Sequence, residues 1–150
     1  MKNHLIVYIH GKGGSAAEAE HYKTLFKDAD TAGFDYISQT PWEACEEFPE
    51  FFDSHRKNYD TVTLIANSIG AYFSLIAFSD LLLQQALFLS PVLDMLEIIN
   101  GIMSAFQISE QELFQKQTIP TPIGQTLYWD YYCYVKEHAV SRWNTPTCIL

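Results

Sequence analysis

Residues 66–70, Ala66-Asn67-Ser68-Ile69-Gly70, are the part of the chain best suited to chemistry. An apolar β-branched run ends at Ala66, and a helix is expected to begin at once and to run through Phe78. A sharp strand-to-helix turn strains its central residue and exposes that residue's side chain. It also crowds the positions two before and two after, and Ala66 and Gly70 are both small enough. Ser68 is therefore a candidate nucleophile at the start of a helix, where the amide of Ile69 can stabilise an oxyanion. A second donor is needed. His10-Gly11-Lys12-Gly13-Gly14 follows another apolar run, and the amide of Lys12, or that of Gly11, is the natural candidate. Together these groups would carry out acyl transfer.

A Ser-Asp-His order is met within the chain by Ser68, Asp94 as acid and His138 as base. Both partners also have plainer readings. Asp94 is placed to cap the next helix, and His138 lies near a helix C-terminus, where a cation is favourable. His10 reads as a structural part of its turn. His4, His21 and His55 read as surface residues.

The elements that must position these groups alternate in type. Leu5–Ile9 reads as a strand buried on both faces. The spacing of Ala19, Tyr22, Phe26 and Ala29 predicts a helix over 16–32, with Gly33 as its C-cap and a second strand over Phe34–Ile37. Thr40-Pro41-Trp42 reads as a turn, and Glu43–Lys57 as a helix that starts or restarts near Pro49. Strands are expected at Thr61–Ala66, Ala86–Ser90 and, just beginning, Thr147–Leu150. Residues 92–145 read as mostly helical and lid-like, with an extended interruption at Ile119–Pro122. Ser109-Glu110-Gln111-Glu112 is a capping box. The dense aromatic stretch Tyr128–Tyr134 reads mainly as core, with one or two rings available to line an acyl pocket. The alternation predicts one α/β domain over 1–150 with a doubly wound, mostly parallel sheet. Ligands bind such sheets beyond the carboxyl ends of the strands, where both glycine-containing breaks fall.

On these residues the sequence resembles the α/β-hydrolase superfamily. A strand ends in His10-Gly11, and helix, strand and helix follow before the turn at Ser68. Leu89-Ser90-Pro91 and Trp143–Leu150 extend the likeness. Ala66 stands where the family's elbow usually has glycine. The resemblance implies a three-layer αβα fold and a serine esterase, thioesterase or peptidase-like activity without a cofactor or metal. It also implies that the usual acid and histidine follow a strand like Thr147–Leu150. The expectation is therefore the greater part of a small serine hydrolase whose last strands and triad partners lie beyond Leu150. A non-catalytic binding scaffold on the same fold is the alternative.

Composition sets outer limits. Nine basic against eighteen acidic residues give a net charge of −9, with no Lys or Arg between Lys57 and Lys116. That disfavours nucleic acid and, more mildly, anionic substrates. A small acyl substrate remains the expected partner. Cys45, Cys133 and Cys148 are an odd, scattered set that suits neither a disulfide framework nor zinc. The short apolar run after Met1–His4 does not suit a leader, and no stretch suits a membrane span, so a cytoplasmic protein is expected. Nothing in the sequence speaks to oligomeric state. A dinucleotide site is a weaker enzyme reading: Gly11–Ala16 fits G-x-G-x-x-A, and Asp35 lies further on. Asp35 precedes Tyr36-Ile37 rather than ending the expected strand, however, and that reading leaves the turn at 66–70 unexplained. The P-loop spacing is absent.

Overall fold

The computed structural model describes residues 3–78 and 83–150. Met1 and Lys2, weighed above as the start of a leader, lie outside them. The chain divides into two compact units: one holds the residues up to Leu93 together with Arg142–Leu150, and the other spans Asp94–Ser141.

The first unit is built on five strands: β1 (His4–Ile9), β2 (Asp30–Phe34), β3 (Thr61–Asn67), β4 (Gln85–Leu89) and β7 (Thr147–Ile149). Their order is β2-β1-β3-β4-β7, and all four pairings are parallel. Ile6, Val7, Ile9, Leu64, Ile65 and Ala66 are almost wholly buried, as strands covered on both faces require. The direction of winding changes beside β1, which has β2 on one side and β3 on the other. A doubly wound sheet opens its ligand crevice at the carboxyl ends of such a pair.

The second strand departs from expectation. The helix predicted over 16–32 is a single 3-10 turn at Ala16–Glu18 followed by α1 (Ala19–Leu25). The chain then turns through Phe26 and Ala29 and enters β2 at Asp30. Ala29 fits the helical spacing but is buried against the sheet, packed with Ile6 and Tyr8. Gly33 is no C-cap: it pairs with Tyr8 in mid-strand. A Cβ there would stand 2.2 Å from the Ala16 carbonyl oxygen, so only glycine lets the 3-10 turn cross the strand this closely.

Helix α2 (Pro41–Arg56) starts earlier than expected and runs unbroken through Pro49. Thr40 caps it, accepting from the Glu43 amide at 3.4 Å, while Glu43 accepts from the Thr40 and Gln39 amides at 2.9 and 2.7 Å. The Gln39 amide is the main reason the Glu43 carboxyl titrates below its usual range. Pro41 occupies the first turn, where its missing N–H costs nothing. Pro49 lacks a donor, but Ala44, Phe48 and Phe52 bury one face of α2 and hold it together. Phe48 packs edge-on or tilted against Phe34, Tyr36, Phe73 and Phe78. Thr40→Ala should cost about 1 kcal/mol, read as a lower denaturant midpoint with an unchanged m-value.

The second unit holds α4 (Met95–Ala105), α5 (Glu110–Lys116) and α6 (Trp129–Glu137). The expected extended interruption is a β-hairpin, β5 (Thr118–Pro120) against β6 (Thr126–Tyr128), closed by a turn with Gly124 at φ +77°. Ile99, Met103, Leu113, Ile119, Leu127, Tyr132 and Val135 are its buried apolar side chains. Among the described residues no helix is long and apolar enough to cross a membrane.

Candidate active site

The candidate site lies at the carboxyl ends of β1 and β3. Strand β3 ends at Asn67, and α3 (Ile69–Ala77) begins two residues later, so one residue makes the whole reversal. That residue, Ser68, has φ 52° and ψ −119°, a region that L residues avoid. Its peptide groups are held firmly. The Ser68 N–H donates to the Leu89 carbonyl at 3.0 Å, and its carbonyl accepts from Ala71 and Val92, each at 3.1 Å. Its hydroxyl does not cap the helix, and the residue is half-buried. A strained backbone pinned on both sides, with an uncommitted side chain at a helix N-terminus, suits a nucleophile.

Helix α3 is apolar on nearly every side, with Gly70 through Leu75 buried. Its second residue is where it meets β1 most closely. A Cβ on Gly70 would lie 2.5 Å from the His10 carbonyl oxygen and 2.9 Å from Ile9 Cγ2. The small residues expected on either side of Ser68 thus have separate reasons. Ala66 is fully buried in the sheet, and Gly70 admits the end of β1.

The loop after β1 lies against this turn. A Cβ on Gly11 would sit 3.2 Å from Ser68 Cβ and 3.3 Å from the Asn67 carbonyl oxygen. The loop closes through Gly14 N–H to the Gly11 carbonyl at 3.1 Å, with Gly13 at φ +77°. His10 anchors it: the ring is buried, its Nδ1 lies 2.8 Å from the Gly11 carbonyl oxygen, and its face stacks on Tyr36 at 4.3 Å. Tyr36 in turn donates to the His10 carbonyl at 2.8 Å. The structure therefore brings Ser68, Ile69, Gly11 and Lys12 to one end of the sheet. Tyr36 was not read from the sequence as part of this assembly. Its partner is 26 residues away, and no local spacing signals such a contact.

Burial, reinforced by the Glu47 carboxylate, pushes the Tyr36 phenol up to about 12 from its ordinary 10.0. The folded state therefore favours the neutral phenol. Its contribution to stability is complete below pH 10.0 and is lost as pH rises towards 12. Denaturant midpoints should fall across that window, and less steeply in Tyr36→Phe.

Asp94 and His138 belong to the other unit. Asp94 caps α4, accepting from the Glu97 amide at 3.0 Å. His138 ends α6, with Nδ1 2.9 Å from the Tyr134 carbonyl oxygen and its ring stacked on Tyr134. Asp35 directly follows β2, because that strand covers 30–34 rather than the expected 34–37. Its Oδ1 accepts from the Ala16 amide at 3.3 Å and lies 3.6 Å from His10 Nε2, so it braces the loop.

By sequence, the chain matches no protein-family model and no curated protein. By structure it matches several solved proteins. Est1E from Butyrivibrio proteoclasticus is 17% identical with a TM-score of 0.68; the match covers 99% of this chain and 66% of that one. A second structure of Est1E has ferulic acid bound. Alpha/beta hydrolase domain-containing protein 10 from mouse is 14% identical with a TM-score of 0.72, covering 97% and 67%. A lipase-esterase related protein from Clostridium acetobutylicum is 14% identical with a TM-score of 0.56, covering 99% and 86%. The chain thus spans about two thirds of the length of the first two proteins.

Proposed function

We propose that this chain, which has the α/β-hydrolase fold, carries the nucleophile of a serine hydrolase acting on a carboxylic ester, thioester or amide. The observation that carries this reading is the backbone of Ser68: a pinned, strained residue between a parallel strand and a buried helix. In the proposed reaction Ser68 Oγ attacks the acyl carbonyl while a general base removes its proton. The amides of Ile69 and Lys12 receive the developing oxyanion, with Gly11 allowing the loop to come this close. The acyl-serine is then hydrolysed by water. Asp94 and His138 are the in-chain candidates for acid and base.

An ester is the first substrate to try, because structural neighbours include a lipase-esterase related protein and Est1E with ferulic acid bound. The test is intact-mass analysis after treatment with a fluorophosphonate. One adduct on the wild-type chain that is lost in Ser68→Ala supports the reading. The same adduct persisting in Ser68→Ala overturns it. Parallel labelling of Asp94→Asn and His138→Ala shows whether either serves Ser68.

A further inference from the structure

The two oxyanion donors come from separate loops, so the proposed reaction needs something that fixes one loop against the other. Nothing covalent does so. On the α1 side of the sheet, hydrogen bonds run from the glycine loop through Glu18 to Tyr8, and the side chain of Asn67 packs beside Gly11. Tyr8, one residue before the end of β1, is buried with Ile6, Ala19, Ala29 and Ile65 and stacks on Tyr22 at 5.1 Å. Its hydroxyl donates to Glu18 Oε2. The side chain of Asn67, the residue before the nucleophile, lies close enough to the same hydroxyl to influence its titration. The other Glu18 oxygen accepts from the Ser15 amide at 3.4 Å. It lies directly under the glycine loop, because a Cβ on Gly14 would be 2.6 Å from it. Asn67 Nδ2 would be 3.6 Å from a Cβ on Gly11.

We infer that Glu18 is a positioning residue, which sets the 11–15 loop against the Ser68 turn through Tyr8 and Asn67. This inference rests on the proposed function for its catalytic meaning. Glu18 is itself solvent-exposed and touches no reacting atom; it acts through the loop and through Tyr8. Burial and the neighbouring Glu18 hold the Tyr8 phenol well above its ordinary range. Gly14 is part of the same device, since a side chain there would displace the carboxylate. A loop with two other glycines, at 11 and 13, has little stiffness of its own, which gives the connection its role.

The test compares Glu18→Gln and Tyr8→Phe with wild type by two readouts. The first is amide hydrogen exchange at Lys12–Ser15, with the amides of β3 as the internal reference. Both variants should exchange about tenfold faster in the loop and at the wild-type rate in β3. The second readout is kinetic: kcat and the rate of fluorophosphonate labelling should fall about tenfold or more, with KM little changed. Unchanged loop exchange in Glu18→Gln overturns the inference, whether or not Ser68 reacts. Acceleration that spreads equally to β3 overturns it as well, since Glu18 would then be stabilising the fold generally. Faster loop exchange with undiminished labelling also overturns it, because the loop would be ordered by Glu18 without serving the nucleophile. Wild type that cannot be labelled, with loop exchange still governed by Glu18, counts against the serine hydrolase reading and leaves the structural coupling standing. Glu18 is exposed, so its glutamine variant should fold even if Tyr8→Phe does not.

Discussion

Ser68→Ala should lower kcat on an activated ester by about a thousandfold or more and leave the melting temperature unchanged or slightly higher. The activity loss follows from the role proposed for the hydroxyl: without it no acyl-serine would form, and the proposed oxyanion donors alone would give only residual catalysis. The stability expectation follows from the backbone. At φ 52° and ψ −119°, Ser68 carries a cost of about 1–3 kcal/mol that the bonds to Leu89, Ala71 and Val92 must hold in place. Its side chain returns nothing to the fold by capping α3. Ser68→Gly sharpens the point, because glycine adopts this region without strain. It should raise stability by about 1 kcal/mol while abolishing fluorophosphonate labelling. A substitution that stabilises and inactivates together is the mark of strain kept for function. Stability that drops in Ser68→Gly would mean that the serine is there for the fold, and the nucleophile reading would lose its main support.

Much of this site can be read in the sequence because it depends on local rules. A reversal at one residue demands small neighbours at fixed distances, so Ala66, Ser68 and Gly70 are visible without coordinates. The buried parallel strands announce themselves as apolar runs. What was misread depends on distant partners. Ala29 has helical spacing relative to Tyr22 and Phe26, but its burial partners are Ile6 and Tyr8 on β1. The spacing could not separate the last turn of a helix from the entry to a strand. Gly33 has the same origin: as a C-cap it satisfied a local rule, whereas its true constraint is the Ala16 backbone crossing it. Pro49 gave a local stop signal that the tertiary burial of Phe48 and Phe52 overrides. The supports of the 10–15 loop, Tyr36 on the His10 carbonyl and Tyr8 with Glu18, are side-chain bonds across elements. Such bonds leave no periodicity in the sequence.

Gly70→Ala is the second substitution with a large expected effect, and it tests the joint between the two loops. The added methyl would meet backbone on the side of β1: the His10 carbonyl at 2.5 Å and the Ile9 carbonyl at 3.0 Å. Neither atom can swing away as a side-chain tip would. Ile9 is held in register with Ala66 on one side and Phe34 on the other. Relief therefore requires the end of β1 and α3 to part by about 1 Å to reach ordinary contact. His10 is the residue from which the proposed oxyanion loop departs, so that displacement passes straight to Gly11 and Lys12. A misplacement of this size should lower kcat about a hundredfold, with a stability loss of about 2 kcal/mol from overpacking. Gly11→Ala is the useful contrast, because its nearest atom would be Ser68 Cβ at 3.2 Å, which calls for a shift of only a few tenths of an ångström. Its effect on stability should be clearly smaller. If Gly70→Ala lost stability yet kept full activity, the loop after β1 could not be supplying an oxyanion donor, because its geometry would have been altered without consequence. If it lost activity in proportion to its unfolded fraction alone, the joint would matter only to the fold. The expected result lies between these: a folded protein, melting at a lower temperature, whose serine still stands at the end of β3 but whose proposed oxyanion donors no longer converge.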